Sequence, residues 1–181
     1  MTRSEVAVAF LDSPEFQAGA GAIARLYFGS LNRLPDATGM TFWMDQQKSG
    51  STIAQIANTF AASAEFTTLN SGLTDSAFIQ KQYQTILGRA ATTQEQTNWG
   101  TQLSAGANRG VVVLGLTESA EYKLASDTKL SVALDYLGLL GRPAEQLGFD
   151  YWVNQQSTLV PEVTVIGGFI ASQEYHDRFL P

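Results

Sequence analysis

Apolar positions along this chain recur at helical spacing. Ile53, Ile56, Ala57 and Phe60 fall at i, i+3, i+4 and i+7, one face of an amphipathic helix. Val163, Ile166, Gly167 and Ile170 repeat the pattern near the end, and Phe78, Ile79, Tyr83, Ile86 and Leu87 have helical spacing in the middle. The β-branched run Val111 to Val113 stands where Ile53 to Ile56 stand in the repeat described below, so it predicts helix as well. No stretch joins strand alternation to a hairpin turn. Stop and start signals are equally regular. Ser13-Pro14-Glu15 places a capping serine, a proline at the first helical position and an acid at the positive helix end. Pro35-Asp36 opens another helix with Asp36 as cap and Gly50 as terminator, Asn70 to Asp75 is a break, and Gly88-Arg89 ends the helix that follows it.

The chain also repeats itself. Trp43, Trp99 and Trp152 each follow an arginine by ten residues, Arg33, Arg89 and Arg142. Each arginine follows a tyrosine by six, Tyr27, Tyr83 and Tyr136. Twenty residues after each tryptophan a Ser-x-Glu-aromatic tetrad begins, at Ser63, Ser119 and Ser172, with Glu65, Glu121 and Glu174 inside it. The arginines are offset by 56 and then 53 residues. A fourth tetrad, Ser13-Pro14-Glu15-Phe16, has no tryptophan half before it. The predicted organisation is a partial unit at 1–22, units at 23–72, 73–128 and 129–181, and one packed domain. The fold class is all-α, a compact array of about nine to eleven short helices in three and a half repeats of about 53–56 residues. The partial unit is expected of an excerpt from a longer chain, and its open edge is expected to offer an incomplete apolar face to a neighbour.

Residues that recur in every unit answer a demand every unit shares, and burial is the commonest such demand. The tryptophans are therefore expected to be mostly buried at equivalent places. The arginines are expected to meet helix-end carbonyls or the tetrad glutamates, which recur at a fixed offset, with anion binding as the alternative. A platform of exposed rings, of the kind sugar-binding surfaces use, is the alternative for the tryptophans.

Composition narrows the chemistry. Hydrophobic residues make up 44% and charged residues 15% of the 181, which excludes bulk disorder. There is no cysteine, so disulfides, thiolate metal sites and a cysteine nucleophile are excluded, and His176 is the one histidine. A net charge of -6 opposes polyphosphate partners, so no nucleic acid is expected. The longest aliphatic run, Val111 to Leu116, is too short for membrane insertion. No phosphate loop, nucleophile elbow or calcium loop occurs, and no enzyme, metal or cofactor is expected.

The segment Leu26-Tyr27-Phe28-Gly29-Ser30-Leu31-Asn32-Arg33-Leu34-Pro35-Asp36, with Gly39 and Phe42-Trp43 after it, resembles a known bacterial pattern. That pattern has Leu-Tyr, then Leu-Gly-Arg-x-Pro-Asp, Gly and Tyr-Trp, and Phe60 to Phe66 matches its second half. Leu87-Gly88-Arg89 with Trp99, and Leu140-Gly141-Arg142-Pro143 with Tyr151-Trp152, repeat the match. Together they resemble the family of domains of unknown function numbered 4214. The first unit departs at Asn32, where glycine is usual. The second lacks Pro-Asp and has Glu95 in place of the glycine before its tryptophan. A helix start altered at that place is expected.

The resemblance implies an extracellular or bacterial cell-surface setting, since such domains accompany secreted repeats and surface-layer proteins. It implies a non-catalytic module that binds surface polysaccharide or lipopolysaccharide, with a divalent cation such as calcium possible at a glycan contact. A fainter resemblance, in Ser172, Tyr175, Arg178 and Phe179, is to phycobilisome linker domains, which implies a protein–protein or self-assembly scaffold. Ligand contacts are expected in loops that differ between units: Ser104, Asn108 and Arg109, then Gln155 and Gln156, and the connection from Asn70 to Asp75.

Overall fold

A computed structural model describes residues 1–158 and 160–179. Among these the chain forms twelve helices and no strand, the all-α array that the periodicity predicts. They are α1 (Arg3–Leu11), α2 (14–31), α3 (Ala37–Lys48), α4 (Ile53–Ala62), α5 (Ala64–Leu69) and α6 (75–87). Then follow α7 (Thr93–Ser104), α8 (Arg109–Thr117), α9 (120–140), α10 (Gln146–Ser157), α11 (Glu162–Ile170) and α12 (Gln173–Phe179).

Every tetrad serine is a helix N-cap. The Ser13, Ser63, Ser119 and Ser172 hydroxyls accept from the backbone N–H three residues on, at 3.1–3.2 Å. The helices that carry the repeat tyrosines end in one left-handed residue, Asn32, Gly88 or Gly141, with φ of 51°, 70° and 67°. A Cβ is disfavoured there, and asparagine is the side chain that tolerates the conformation best after glycine. Asn32 thus does in the first unit what glycine does in the others. Three helices, α2, α6 and α9, each hold a π-helical turn, at Gln17–Gly21, Tyr83–Leu87 and Tyr136–Leu140.

Equivalent helices pair. The most extensive packing is α4 on α8, in the first and second units, and α1 on α11, in the partial and third units. The N-terminal helix is therefore seated on the last full unit, and the open edge expected from the sequence is covered from within the chain. One core holds Ile23, Leu26, Ile56, Phe78, Ile79, Val112 and Val113, all at most 1% exposed, and runs from the partial unit into the third, where it takes in Leu130, Leu134 and Ile166. A smaller cluster, with Val132, Tyr136, Phe149, Val165 and Phe169, fills the third unit.

A buried ion pair ties the first unit to the second and, through Gln17, to the partial one. Arg25, 2% exposed, donates to Glu118 at 2.8 and 3.2 Å, to the Gln17 side chain at 2.9 Å and to the Gln17 carbonyl at 2.8 Å. Neither Arg25 nor Glu118 recurs between units, so periodicity gave no sign of it.

Candidate functional site

Each unit builds the same surface crevice. The tyrosine comes from the end of one helix, and the left-handed turn after it throws the arginine back across the ring. Arg33, Arg89 and Arg142 stack on Tyr27, Tyr83 and Tyr136 at 4.9, 5.1 and 5.2 Å. Each guanidinium grips the tetrad glutamate 32 residues on with two N–H groups: Arg33 on Glu65 at 2.9 and 3.3 Å, Arg89 on Glu121 at 2.7 and 2.8 Å, Arg142 on Glu174 at 2.5 and 2.9 Å. The remaining nitrogen donates to the carbonyl of the next residue and to an acid at the start of the tryptophan helix, Asp36, Glu95 or Glu145. All three arginines thus have the tetrad glutamates as internal partners, the pairing expected from their fixed offset.

The tryptophans occupy equivalent places at the edge of these clusters, each more buried than exposed, as the shared offsets predict, with part of the indole open to solvent. Their helices lie on the surface, so one side of the indole packs and the other meets solvent. Trp43 packs on Phe60 at 5.1 Å and Trp152 on Phe169 at 5.4 Å, and Tyr27 and Tyr136 meet the same phenylalanines edge-on at 4.9 and 4.8 Å. In the second unit Trp99 donates its indole N–H to the Tyr83 hydroxyl at 2.9 Å. Burial raises the pKa of all three tyrosines, with the carboxylates of the crevice adding to it, so the phenols stay neutral.

Two units carry a second ring. Phe42 stands edge-on against Trp43 at 4.8 Å and is 52% exposed, and Tyr151 does the same against Trp152 at 5.0 Å and is 55% exposed. Asn98 takes that place beside Trp99. The second ring's signal in the sequence is an aromatic directly before tryptophan in two units, part of the pattern that carries the family resemblance. The first unit also keeps a cleft of about 330 Å³ between Trp43, Thr59, Phe60, Arg33 and Glu65. Glycine stands at the position of Thr59 in the other units, and the indole settles toward it. A Cβ on Gly115 would lie 2.4 Å from the Trp99 ring, and one on Gly168 3.4 Å from that of Trp152.

The expected loop residues are spread over the surface, and most bond within the fold. Asn70 is buried, donating to the Phe66 carbonyl at 2.9 Å and accepting from Gln82 at 3.0 Å. Arg109 pairs with Asp75 at 2.8 Å, donates to the Leu73 carbonyl and lies over Phe78 at 4.5 Å. Asn108 caps α8 through the Gly110 N–H. Gln156 donates to Ser131 at 3.3 Å, and Ser131 in turn to Glu162 at 2.6 Å. Gln155 is half-buried and Ser104 exposed. Among the described residues no group of acids and histidine could hold a metal ion, and no helix is long and apolar enough to cross a membrane.

No curated protein and no solved structure matches the chain. The profile of one family does, over residues 22–70 and again over 57–126, and these are the residues that build the first two crevices. The matched span exceeds half of the chain, and the chain belongs to the family described as domain of unknown function DUF4214.

Proposed function

We propose that this chain is a non-catalytic module of the bacterial cell surface or its exterior, which binds surface carbohydrate and so anchors the protein that carries it. The observation that carries this reading is the set of partly exposed indoles at equivalent positions, two of them doubled by the exposed rings of Phe42 and Tyr151. Aromatic faces stack on the C–H faces of sugar rings, and the carboxylates of Glu65, Glu121 and Glu174 beside them accept hydroxyl hydrogen bonds. Such contacts are shallow and individually weak. Three units in one chain suit a polymer, where linked weak contacts add up. The same carboxylates, on a chain of net charge -6, favour either a neutral glycan or an anionic one bridged by a divalent cation such as calcium.

The test is affinity electrophoresis of the purified chain through gels holding lipopolysaccharide or exopolysaccharide, with calcium and with chelator. Retardation by at least one polymer supports the reading; uniform mobility in all of them contradicts it. A second reading, a protein–protein or self-assembly scaffold, draws on the apolar side chains of Leu124 and Leu147, 85% and 86% exposed. Sizing across a range of concentration separates the two, since a scaffold of this kind gains mass and a glycan module stays a monomer.

A further inference from the structure

A cleft of about 390 Å³ opens where α1, α3, the middle of α2 and the end of α9 meet, away from the tryptophan crevices. Its walls are apolar, with Phe10, Phe16, Met40, Met44 and Leu137 the largest side chains, and its one charged lining residue is Arg178 on α12. Phe10 is 63% exposed and leans on Phe16 at 5.2 Å, so an aromatic ring stands unburied at the opening. Methionine is the most adaptable apolar lining, and two of the three methionines in the chain are here. Arg178 is held over the left-handed Gly141 by donation to the Leu140 carbonyl at 3.0 Å. Arg25, Arg33, Arg89, Arg109 and Arg142 all have carboxylate partners, whereas Arg178, like Arg3 outside the cleft, has none among the described residues and lies over the Phe179 ring at 5.1 Å.

We infer that this cleft binds a single-chain anionic amphiphile, a fatty acid, with its alkyl chain among the phenylalanines and methionines and its carboxylate on Arg178. The volume lies within the range of small-molecule sites, roughly 300–1,000 Å³. The only cation of the lining reverses the sign of an acidic protein at that point, and a guanidinium matches a carboxylate in two-point geometry. An alkyl chain would also cover Phe10, whose exposure nothing else in the fold accounts for. This site is independent of carbohydrate binding, and its ligand enters singly rather than as a polymer.

The probe is dodecanoate, titrated calorimetrically into the full chain at pH 8 below its micelle concentration, with acetate, dodecanol and dodecyltrimethylammonium as comparisons. Gly138→Phe is designed to fill the cleft from a lining position where an added Cβ meets nothing within 4 Å, and circular dichroism checks that the variant is folded. Saturable binding of dodecanoate is expected, none of acetate, and a loss of about tenfold or more in Gly138→Phe. Arg178→Gln is expected to weaken dodecanoate by about tenfold while leaving dodecanol unchanged. The inference fails if dodecanoate does not saturate, if the ammonium amphiphile binds as well as the carboxylate, or if Gly138→Phe leaves binding intact. It fails equally if the wild type dimerises and Gly138→Phe abolishes that, because a second copy would then be the occupant.

Discussion

The first and second units share a frame and differ in what they show to solvent. Both stack arginine on tyrosine and clamp the tetrad glutamate with closely similar geometry. In the first unit, as in the third, glycine sits four residues before the tryptophan, and the tyrosine hydroxyl comes so near the helix backbone that a Cβ on Gly39 or Gly148 would lie 2.0 or 2.4 Å from it. In the second unit Glu95 takes that position, completes a capping box with Thr92 and accepts from Arg89 with both carboxylate oxygens, where Asp36 and Glu145 of the other units each use one. The pKa of Glu95 is lowered to about 2, chiefly by Arg89. Phe60 and Phe169 become Leu116, and Phe42 and Tyr151 become Asn98. The second unit has spent its variable positions on polar ties, and the first and third on aromatic surface. The difference separates what holds the repeat together from what a ligand could use.

Changes at the shared aromatic core should have the largest effect. Phe60→Ala and Phe169→Ala each remove a nearly buried ring that touches both tyrosine and tryptophan, and should cost about 3–5 kcal/mol in denaturant unfolding. If either costs less than 1.5 kcal/mol, the crevices are not built on these rings.

Next in size is a pH effect at the position before each repeat tyrosine, which holds Leu26, Gln82 and Asp135. Asp135 is fully buried with no partner for either oxygen among the described residues, and desolvation, with Glu162 adding to it, raises its pKa from 3.8 to about 8. The folded state therefore keeps a proton that the unfolded chain gives up between about pH 4 and pH 8, so stability falls as pH rises through that window. Urea midpoints should drop by a few kcal/mol equivalent from pH 5 to pH 8 in the wild type. Asp135→Asn should flatten the profile, and a wild-type profile already flat would refute the assignment.

The glycine-for-glutamate difference comes third. Gly39→Ala drives a methyl group into the Tyr27 hydroxyl and should cost about 1–3 kcal/mol, although alanine is the better helix former. Glu95→Ala, at the same position of the second unit, loses its half of the capping box and should cost about 1 kcal/mol. Thermal melting of the pair reads both, and a stabilised Gly39→Ala protein would show that the tyrosine is free to move.

Much of the frame was legible because it recurs. The caps, the left-handed stops and the arginine–glutamate pairing follow from residues that stand at fixed offsets in every unit. What the sequence hid is of two kinds. The exposed rings of Phe42 and Tyr151 depend on which side of a surface helix faces out, and offset alone does not encode that. Arg25 with Glu118 makes a contact between units once, and Asp135 is a buried acid in the third unit alone, so periodicity has nothing to repeat in either case. The loops expected to meet ligand are variable in sequence, yet Asn70, Asp75, Asn108, Arg109 and Gln156 spend their polar groups on the fold.

The smallest effect on stability carries the most information about function. Phe42→Ala and Tyr151→Ala remove exposed rings and should change stability by no more than about 0.5 kcal/mol. Asn98→Tyr would give the second unit the ring it lacks. The most direct measurement is the dissociation constant of one retarding polysaccharide for the wild type, the Phe42→Ala/Tyr151→Ala double variant and Asn98→Tyr, all confirmed folded. The account predicts weakening of about tenfold or more in the double variant and tighter binding in Asn98→Tyr. Equal affinity in all three would contradict it.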